Sequence, residues 1–260
     1  MNIVVLIKQV PDTWSERRLT DSDHTLDRAS ADAVLDEINE RAVEEALKIK
    51  ETDGGEVTVV TMGPARATDA VRKALQMGAD SGVHLVDDGL RGSCAVQTAK
   101  VLAKVIGTLG DVDLIIAGNE ATDGTIGAIP AMVADVLGLP ELTHARKVTV
   151  EGRTVTIERE TDDGVIVLQA DLPAVVSVNE KINEPRYPSF KGIMAAKKKP
   201  VRTLSLAEAG LAGSDVGLAA ATSTVIESAP RPPRSAGQVV TDEGDGAAQL
   251  VQYLIAQKLI

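Results

Sequence analysis

The sequence predicts an α/β protein: an open, mostly parallel, doubly wound sheet with an antiparallel hairpin extension, a protruding loop and a C-terminal helical tail. Three observations carry this. Short apolar runs rich in Val and Ile alternate with helix-period segments through about the first 140 residues, the pattern of right-handed crossovers joining parallel strands. Beyond residue 142 the period changes to two, around a tight turn at Gly152. Aromatic residues make up 2% of the chain, so the core must be filled by Val, Ile, Leu and Ala.

Residues 3–7, Ile-Val-Val-Leu-Ile, form a continuous apolar run, as expected of a strand buried on both faces. Lys8-Gln-Val-Pro-Asp12 reads as a turn, and 12–31 as a polar loop or hairpin. Residues 42–50 have helical spacing and stop at Gly54 and Gly55. A strand follows at 56–61, a turn at Met62-Gly-Pro64, a helix at 67–77 stopped by Gly78, and a short strand at 82–86. Residues 95–106 read as a helix, 114–117 as a strand, 118–127 as a glycine-containing loop and 130–137 as a helix. The hairpin pairs 146–151 with 154–159; 164–169 and the apolar strand 174–178 come next. Residues 206–221 are rich in Ala and Gly and carry little information. Residues 224–227 read as a last strand, and 230–234 as a proline-rich extended linker. Residues 246–260 form an amphipathic helix that either docks on another chain or packs on its own domain. The expected division is a nucleotide-binding domain over 1–222 and a linker with its tail over 223–260.

Composition excludes several function classes. A formal charge of −11 argues against nonspecific binding to nucleic acid or anionic membrane. The lone Cys94 excludes an internal disulfide and a cysteine metal cluster, and its helical context reads as a small buried residue. The first apolar run meets Lys8 at once and resembles neither a signal peptide nor a membrane span, so a soluble cytoplasmic protein is expected. His24, His84 and His144 are scattered without metal-ligand spacing, and His84 reads as structural. Neither a dinucleotide fingerprint, a Walker A loop nor a nucleophile elbow occurs. The acidic pairs Asp23 with Asp27 and Glu44 with Glu45 read as solvated faces.

Two stretches stand out. Ligands of open α/β sheets bind beyond the carboxyl ends of the strands, which here means 8–13, 62–65 and 118–127. In the last of these, glycines let backbone amides approach a phosphate, the following helix N-terminus favours an anion, and Thr122 and Thr125 offer hydroxyls. An ordinary sheet-edge loop is the alternative. The second stretch, 183–200, holds two of the chain's four aromatics, Tyr187 and Phe190. Pro185 and Pro188 argue against a helix or central strand, Gly192 adds a flexible point, and Lys197 to Lys199 seek water. By itself it is a connector whose Phe190 folds back, or a docking surface.

The motifs decide between these. Ala42-Val-Glu-Glu-Ala46, Met62-Gly-Pro-Ala65 with Ala74-Leu-Gln-Met-Gly-Ala-Asp80, and the 113–127 strand and loop recur in order. So do Ile157-Glu-Arg-Glu-Thr-Asp-Asp-Gly164 leading to Leu172-Pro-Ala-Val-Val-Ser177, and Asn183-Glu-Pro-Arg-Tyr187 with Ile193-Met-Ala-Ala-Lys-Lys-Lys199. Over nearly its whole length the chain resembles the β subunit of electron transfer flavoproteins. That resemblance implies a heterodimer with an α subunit that holds most of the FAD, a buried structural AMP on this subunit, electrons received from acyl-CoA and related dehydrogenases, and delivery to a membrane quinone oxidoreductase. It implies an electron carrier without substrate chemistry of its own, serving fatty acid oxidation. Related alternatives are a bifurcating flavoprotein with FAD in the AMP site, or an adenine-nucleotide-binding protein of the universal-stress type.

Carried onto this chain, the resemblance implies an AMP site from Leu6, Asp36, Ile38, Asn39, Met62, Gly118, Thr122, Asp123, Gly124, Thr125, Ile126, Gly127, Ala128 and Ile129, with Asp123 and Thr125 as the principal side chains. Thr13 and Ile38 would lie near the flavin. Partner recognition would fall to Tyr187, Phe190, Ile193, Met194, Lys197 and Lys198, with Phe190 where the family carries a leucine. The chain departs from the family pattern at Asp36-Glu-Ile-Asn39, before the first helix, at Ala128-Ile-Pro-Ala131, where a glutamine is lost, and at Ile166.

Overall fold

Alternation within one strand explains the architecture. In the first strand, β1 (Asn2–Leu6), Ile3 and Val5 face one apolar cluster while Val4 and Leu6 face the other, so every position after the exposed Asn2 is apolar. The computed structural model describes residues 1–233, 237 and 239–260, in two compact units, 1–226 and 227–260.

In the first unit, β1 is followed by β2 (Gln9–Pro11), β3 (Ala33–Leu35), α1 (Glu37–Asp53), β4 (Glu56–Met62), α2 (Thr68–Met77), β5 (Ser81–Leu85) and α3 (Ala95–Gly107). Then come β6 (Leu114–Gly118), α4 (Ile129–Leu137), β7 (Glu141–Glu151), β8 (Thr154–Thr161), β9 (Gly164–Asp171), β10 (Ala174–Val178), α5 (Phe190–Ala196) and β11 (Val201–Leu204). Among the described residues nine strands form one sheet in the order β11-β5-β4-β1-β6-β10-β7-β8-β9. All pairings from β11 to β7 are parallel, and β7-β8-β9 is the antiparallel extension. The doubly wound sheet with a hairpin extension is therefore the observed fold.

Helices α1 and α2 cover one face, where Val43, Ala46, Leu47, Val71 and Leu75 meet Val5, Val57, Val59 and Ile116. Helices α3 and α4 cover the other, where Val101, Leu102, Val105 and Val133 meet Val4, Val60, Val83 and Ile115. Each such aliphatic side chain contributes about 1.5–3 kcal/mol on burial. With no aromatic in either cluster, close approach replaces bulk: a Cβ on Gly82 would lie 2.4 Å from Val71 Cγ1. From β1 the chain winds through α1 to β4 on one side, while β6 lies on the other. The carboxyl ends of β1 and β6 thus flank the switch point where such sheets bind ligands.

Several expectations need correction. Lys8–Asp12 is no simple turn, because β2 pairs antiparallel with β3; between them, 12–31 folds back through a bridge from Leu19 to Leu26. Asp36 to Asn39 open the first helix rather than precede it: Asp36 is the N-cap of α1 and the next three residues are its first turn. Glu44 and Glu45 are buried rather than solvated, and both meet the 183–186 segment. Cys94 is the partly exposed N-cap of α3, not a core residue. Burial pushes its thiol up, but hydrogen bonds from Thr222 and nearby backbone N–H groups prevail and bring it to about 7. His144 lies in β7, at a bulge with φ +60°, not in a connector. His84 is buried as expected, with Nδ1 3.1 Å from Thr68 Oγ1. Residues 224–227 form no strand, and Ile226 is exposed because no neighbouring strand offers it an edge. The chain instead ends the sheet with β11, beside β5. The second unit carries α6 (Gly246–Ala256), whose Leu250, Val251, Tyr253 and Ile255 are exposed. The linker expected at 230–234 reaches Arg234, which lies outside the described residues.

Candidate functional site

The switch point is organised by one carboxylate. Asp36 is fully buried, and its Oδ1 accepts from the N–H groups of Ile38 (3.0 Å) and Asn39 (3.2 Å), capping α1. Its Oδ2 accepts from Thr122 N (2.7 Å) and Thr122 Oγ1 (2.8 Å). One side chain thereby fixes the start of α1 to the loop after β6. Asn39 adds a tie to β1, its Oδ1 accepting from Lys8 N at 2.7 Å. Gly118 is required between them: a Cβ there would sit 2.6 Å from Asn39 Nδ2 and 3.0 Å from Ile38 Cγ2.

A second carboxylate closes the site. Asp123, with a buried side chain, accepts from Lys8 Nζ (2.8 Å) and Arg28 Nη2 (2.7 Å). Burial pushes the Asp123 carboxyl up, but the two cations outweigh it and hold it below the usual range. Burial lowers the Lys8 ammonium, and Asp123 offsets only part of that. Arg28 comes from the 12–31 excursion, so this ion triad stitches three separate segments together.

The loop itself turns at Ala121, whose carbonyl accepts from Gly124 N and Thr125 N. Thr125 (φ +48°) and Gly127 (φ +64°) take left-handed conformations, which orient successive amides to one side. Among the described residues the N–H groups of Ile126, Gly127 and Ala128 meet no acceptor, and α4 begins without a side-chain cap. Asn119 Oδ1 is buried without a partner. Unpaired donors at a helix start attract a phosphate, and an orphaned buried acceptor beside them suits a base amino group. The residues present therefore fit an adenine nucleotide.

Not every expected residue is free to contact one. Asp36, Asp123 and Thr122 are spent on one another's segments, so they shape the cradle. Thr125, exposed with Gly124 and Ile126, presents its side chain to solvent. Leu6 and Ile38 are buried, and Met62 lies at the end of β4, two strands from β6. Thr13 is exposed, and its Oγ1 donates to Glu37 at 3.0 Å, next to Ile38. Sequence reasoning missed Lys8 and Arg28; Lys8, directly after an apolar strand at a carboxyl end, was the readable signal. It also missed Trp14, 95% exposed beside Thr13.

The second expected surface is a helix. Pro185 and Pro188 precede α5 rather than breaking it, and Ser189 caps it by accepting from Gly192 N at 3.0 Å. Tyr187 is 94% and Phe190 81% exposed; Ile193, Met194, Lys197 and Lys198 are exposed as well. Phe190 does not fold back onto its own domain.

A family model described as the electron transfer flavoprotein domain matches residues 23–209. Over 264 residues the chain is 66% identical to an electron transfer flavoprotein subunit beta of Mycobacterium bovis, covering 100% of this chain and 99% of the relative. It is 34% identical to the subunit beta of Megasphaera elsdenii over 271 residues, covering all of both chains. It is also 34% identical over 263 residues, again with full coverage of both, to the caffeyl-CoA reductase-Etf complex subunit CarD of Acetobacterium woodii.

Proposed function

Because the chain belongs to the β subunits of the electron transfer flavoprotein family, we propose that it forms a heterodimer with an α subunit and carries electrons from acyl-CoA and related dehydrogenases to a membrane quinone oxidoreductase. FAD, held mainly by the α subunit, supplies one- and two-electron chemistry when bound. Thr13, hydrogen-bonded to Glu37 at the amino end of α1, and Ile38 in its first turn would lie near it. An AMP occupies the switch-point loop as a structural ligand. Its phosphate is held by the N–H groups of Ile126, Gly127 and Ala128 and by the start of α4, and its base by Asn119.

One observation supports this above the others. The cradle offers backbone donors, while the charged side chains around it, Lys8, Arg28, Asp36 and Asp123, are already paired with protein groups. With those four side chains engaged, the cradle is suited to binding and orienting a ligand. The exposed aromatic pair on and before α5 supports the partner half of the reading, because an apolar anchor of this kind gains its energy when desolvated by a partner. Among the described residues no helix is long and apolar enough to cross a membrane.

The departures at Asp36–Asn39 and 128–131 keep a second reading in view, in which the same site takes FAD and the protein bifurcates electrons. Co-expression with the α subunit tests the proposal. A yellow heterodimer that is reduced by an acyl-CoA dehydrogenase and its substrate is the expected outcome. A colourless monomer that accepts no electrons would refute it.

A further inference from the structure

The 183–199 segment runs over the outside of α1 and α2, yet it is bolted down at three points. Arg186 provides the first. Its backbone N–H and Nε both donate to Glu44 Oε2, at 3.1 and 2.7 Å, and Nη2 donates to Glu44 Oε1 at 3.0 Å. Nη1 and Nη2 also reach the Glu51 carboxylate. Glu44 is 5% exposed and Glu51 lies two turns further along α1, so the guanidinium is held by one buried and one exposed carboxylate. Beside it Asn183 Nδ2 donates to Glu45 Oε2 and Arg41 O, both at 3.0 Å. The second point is Gly192, where a Cβ would lie 2.5 Å from the carbonyl oxygen of Gln76 on α2. The third is Lys199. Expected to seek water, it instead donates from Nζ to Leu75 O (2.9 Å) and Ala79 O (2.6 Å), capping the carboxyl end of α2. Gly192, expected to be a flexible point, is a packing contact.

α5 has seven residues and none of them is buried; only Ala196 packs against the core, so hydrophobic contact supplies a small part of what holds it. The polar bolts supply the rest. We infer that Arg186 is a positioning residue: clamped between Glu44 and Glu51, and assisted by Gly192 against α2, it holds Tyr187 and Phe190 outward in one rigid pose for a partner protein. The inference rests on the reading of α5 as the docking surface. It adds that docking is pre-organised, so that binding need not order the segment. Without the clamp the same aromatics sample many poses, and partner affinity falls while the transfer step within the bound complex does not.

The test uses the full heterodimer, with a purified acyl-CoA dehydrogenase and its acyl-CoA as electron donor. Arg186→Ala should speed amide hydrogen exchange across 187–196 by about tenfold or more while α3 and β6 keep wild-type protection. It should raise the apparent KM for the dehydrogenase about tenfold at unchanged kcat and flavin content. Glu51→Ala removes only the exposed half of the clamp and should give the same changes at smaller size, which covers the case in which loss of Glu44's partner impairs folding. Arg186→Lys should recover part of the loss, because a single ammonium cannot span both carboxylates. Wild-type exchange over 187–196 in both Arg186→Ala and Glu51→Ala would overturn the clamp. Faster exchange with an unchanged KM would leave the clamp standing and refute α5 as the docking surface.

Discussion

The loop after β6 and the segment after β10 leave neighbouring strands at the same end of the sheet, and they are built as opposites. In the first, a buried carboxylate, Asp123, is gripped by two cations, Lys8 and Arg28. In the second, one cation, Arg186, is gripped by two carboxylates, Glu44 and Glu51. Both use ion pairs to freeze an irregular segment that has little apolar surface to bury. What each then presents differs. The β6 loop turns backbone N–H groups outward, which suits a small anion of fixed geometry. The β10 segment turns Tyr187 and Phe190 outward, which suits a protein surface. The frame is electrostatic in both cases, and what it leaves free is what a ligand or partner would meet.

Substitutions can break that symmetry in graded steps. The largest effect is expected at Asp36, which serves only the first region. Asp36→Ala removes the α1 cap and strands the part-buried N–H and hydroxyl of Thr122, for a loss of about 3 kcal/mol. Urea unfolding of the heterodimer measures it, and amide exchange should rise at 119–128 but not at 187–196. Asp123→Asn ranks next. It leaves Lys8 and Arg28 without their counter-charge, but each is more than a third exposed, so the loss is nearer about 2 kcal/mol than the full value for a buried pair. Retained nucleotide, measured after extraction, should fall with it. Phe190→Ala should change stability by less than about 0.5 kcal/mol, since the ring is exposed. It should nevertheless slow transfer from a dehydrogenase by about 30-fold, equivalent to an anchor of about 2 kcal/mol. Unchanged transfer would remove the aromatic half of the comparison.

The smallest effect is a pH dependence that belongs to neither region. Burial lowers the pKa of His84, so the folded protein holds it neutral while the unfolded chain titrates near its ordinary value. Between the ordinary imidazole pKa and the lowered folded value, the unfolded state binds more protons. Stability is therefore full above the ordinary value and declines as pH falls through that window. Tm measured from neutral pH downward should drop less steeply in His84→Gln than in the wild type.

The parallel strands were readable because burial on both faces forces an unbroken run of Val, Ile and Leu, as in β1. The edge strand β11 was not: Val201-Arg-Thr-Leu204 buries only Leu204 and so lacks that signature. The switch-point loop was visible through its glycines, and Asp36 could have been read as an N-cap from the acidic residues that follow it. α5 was hidden by two prolines that set its start instead of preventing it. The Arg186–Glu44 clamp joins positions 142 residues apart, and nothing local marks such a pair. For the same reason Glu44 and Glu45 looked like a solvated face; their partners arrive from the far end of the domain. Lys199 gave no sign either, since a lysine run reads as solvated until one member finds two orphaned carbonyls.

In the proposed heterodimer the β6 loop holds a nucleotide through its backbone while the flavin resides mainly on the other subunit. Mass spectrometry of the small molecules released from the co-expressed heterodimer tests it most directly. One FAD and one AMP per heterodimer are expected. Two FAD and no AMP, or one FAD with no adenine nucleotide at all, would contradict it.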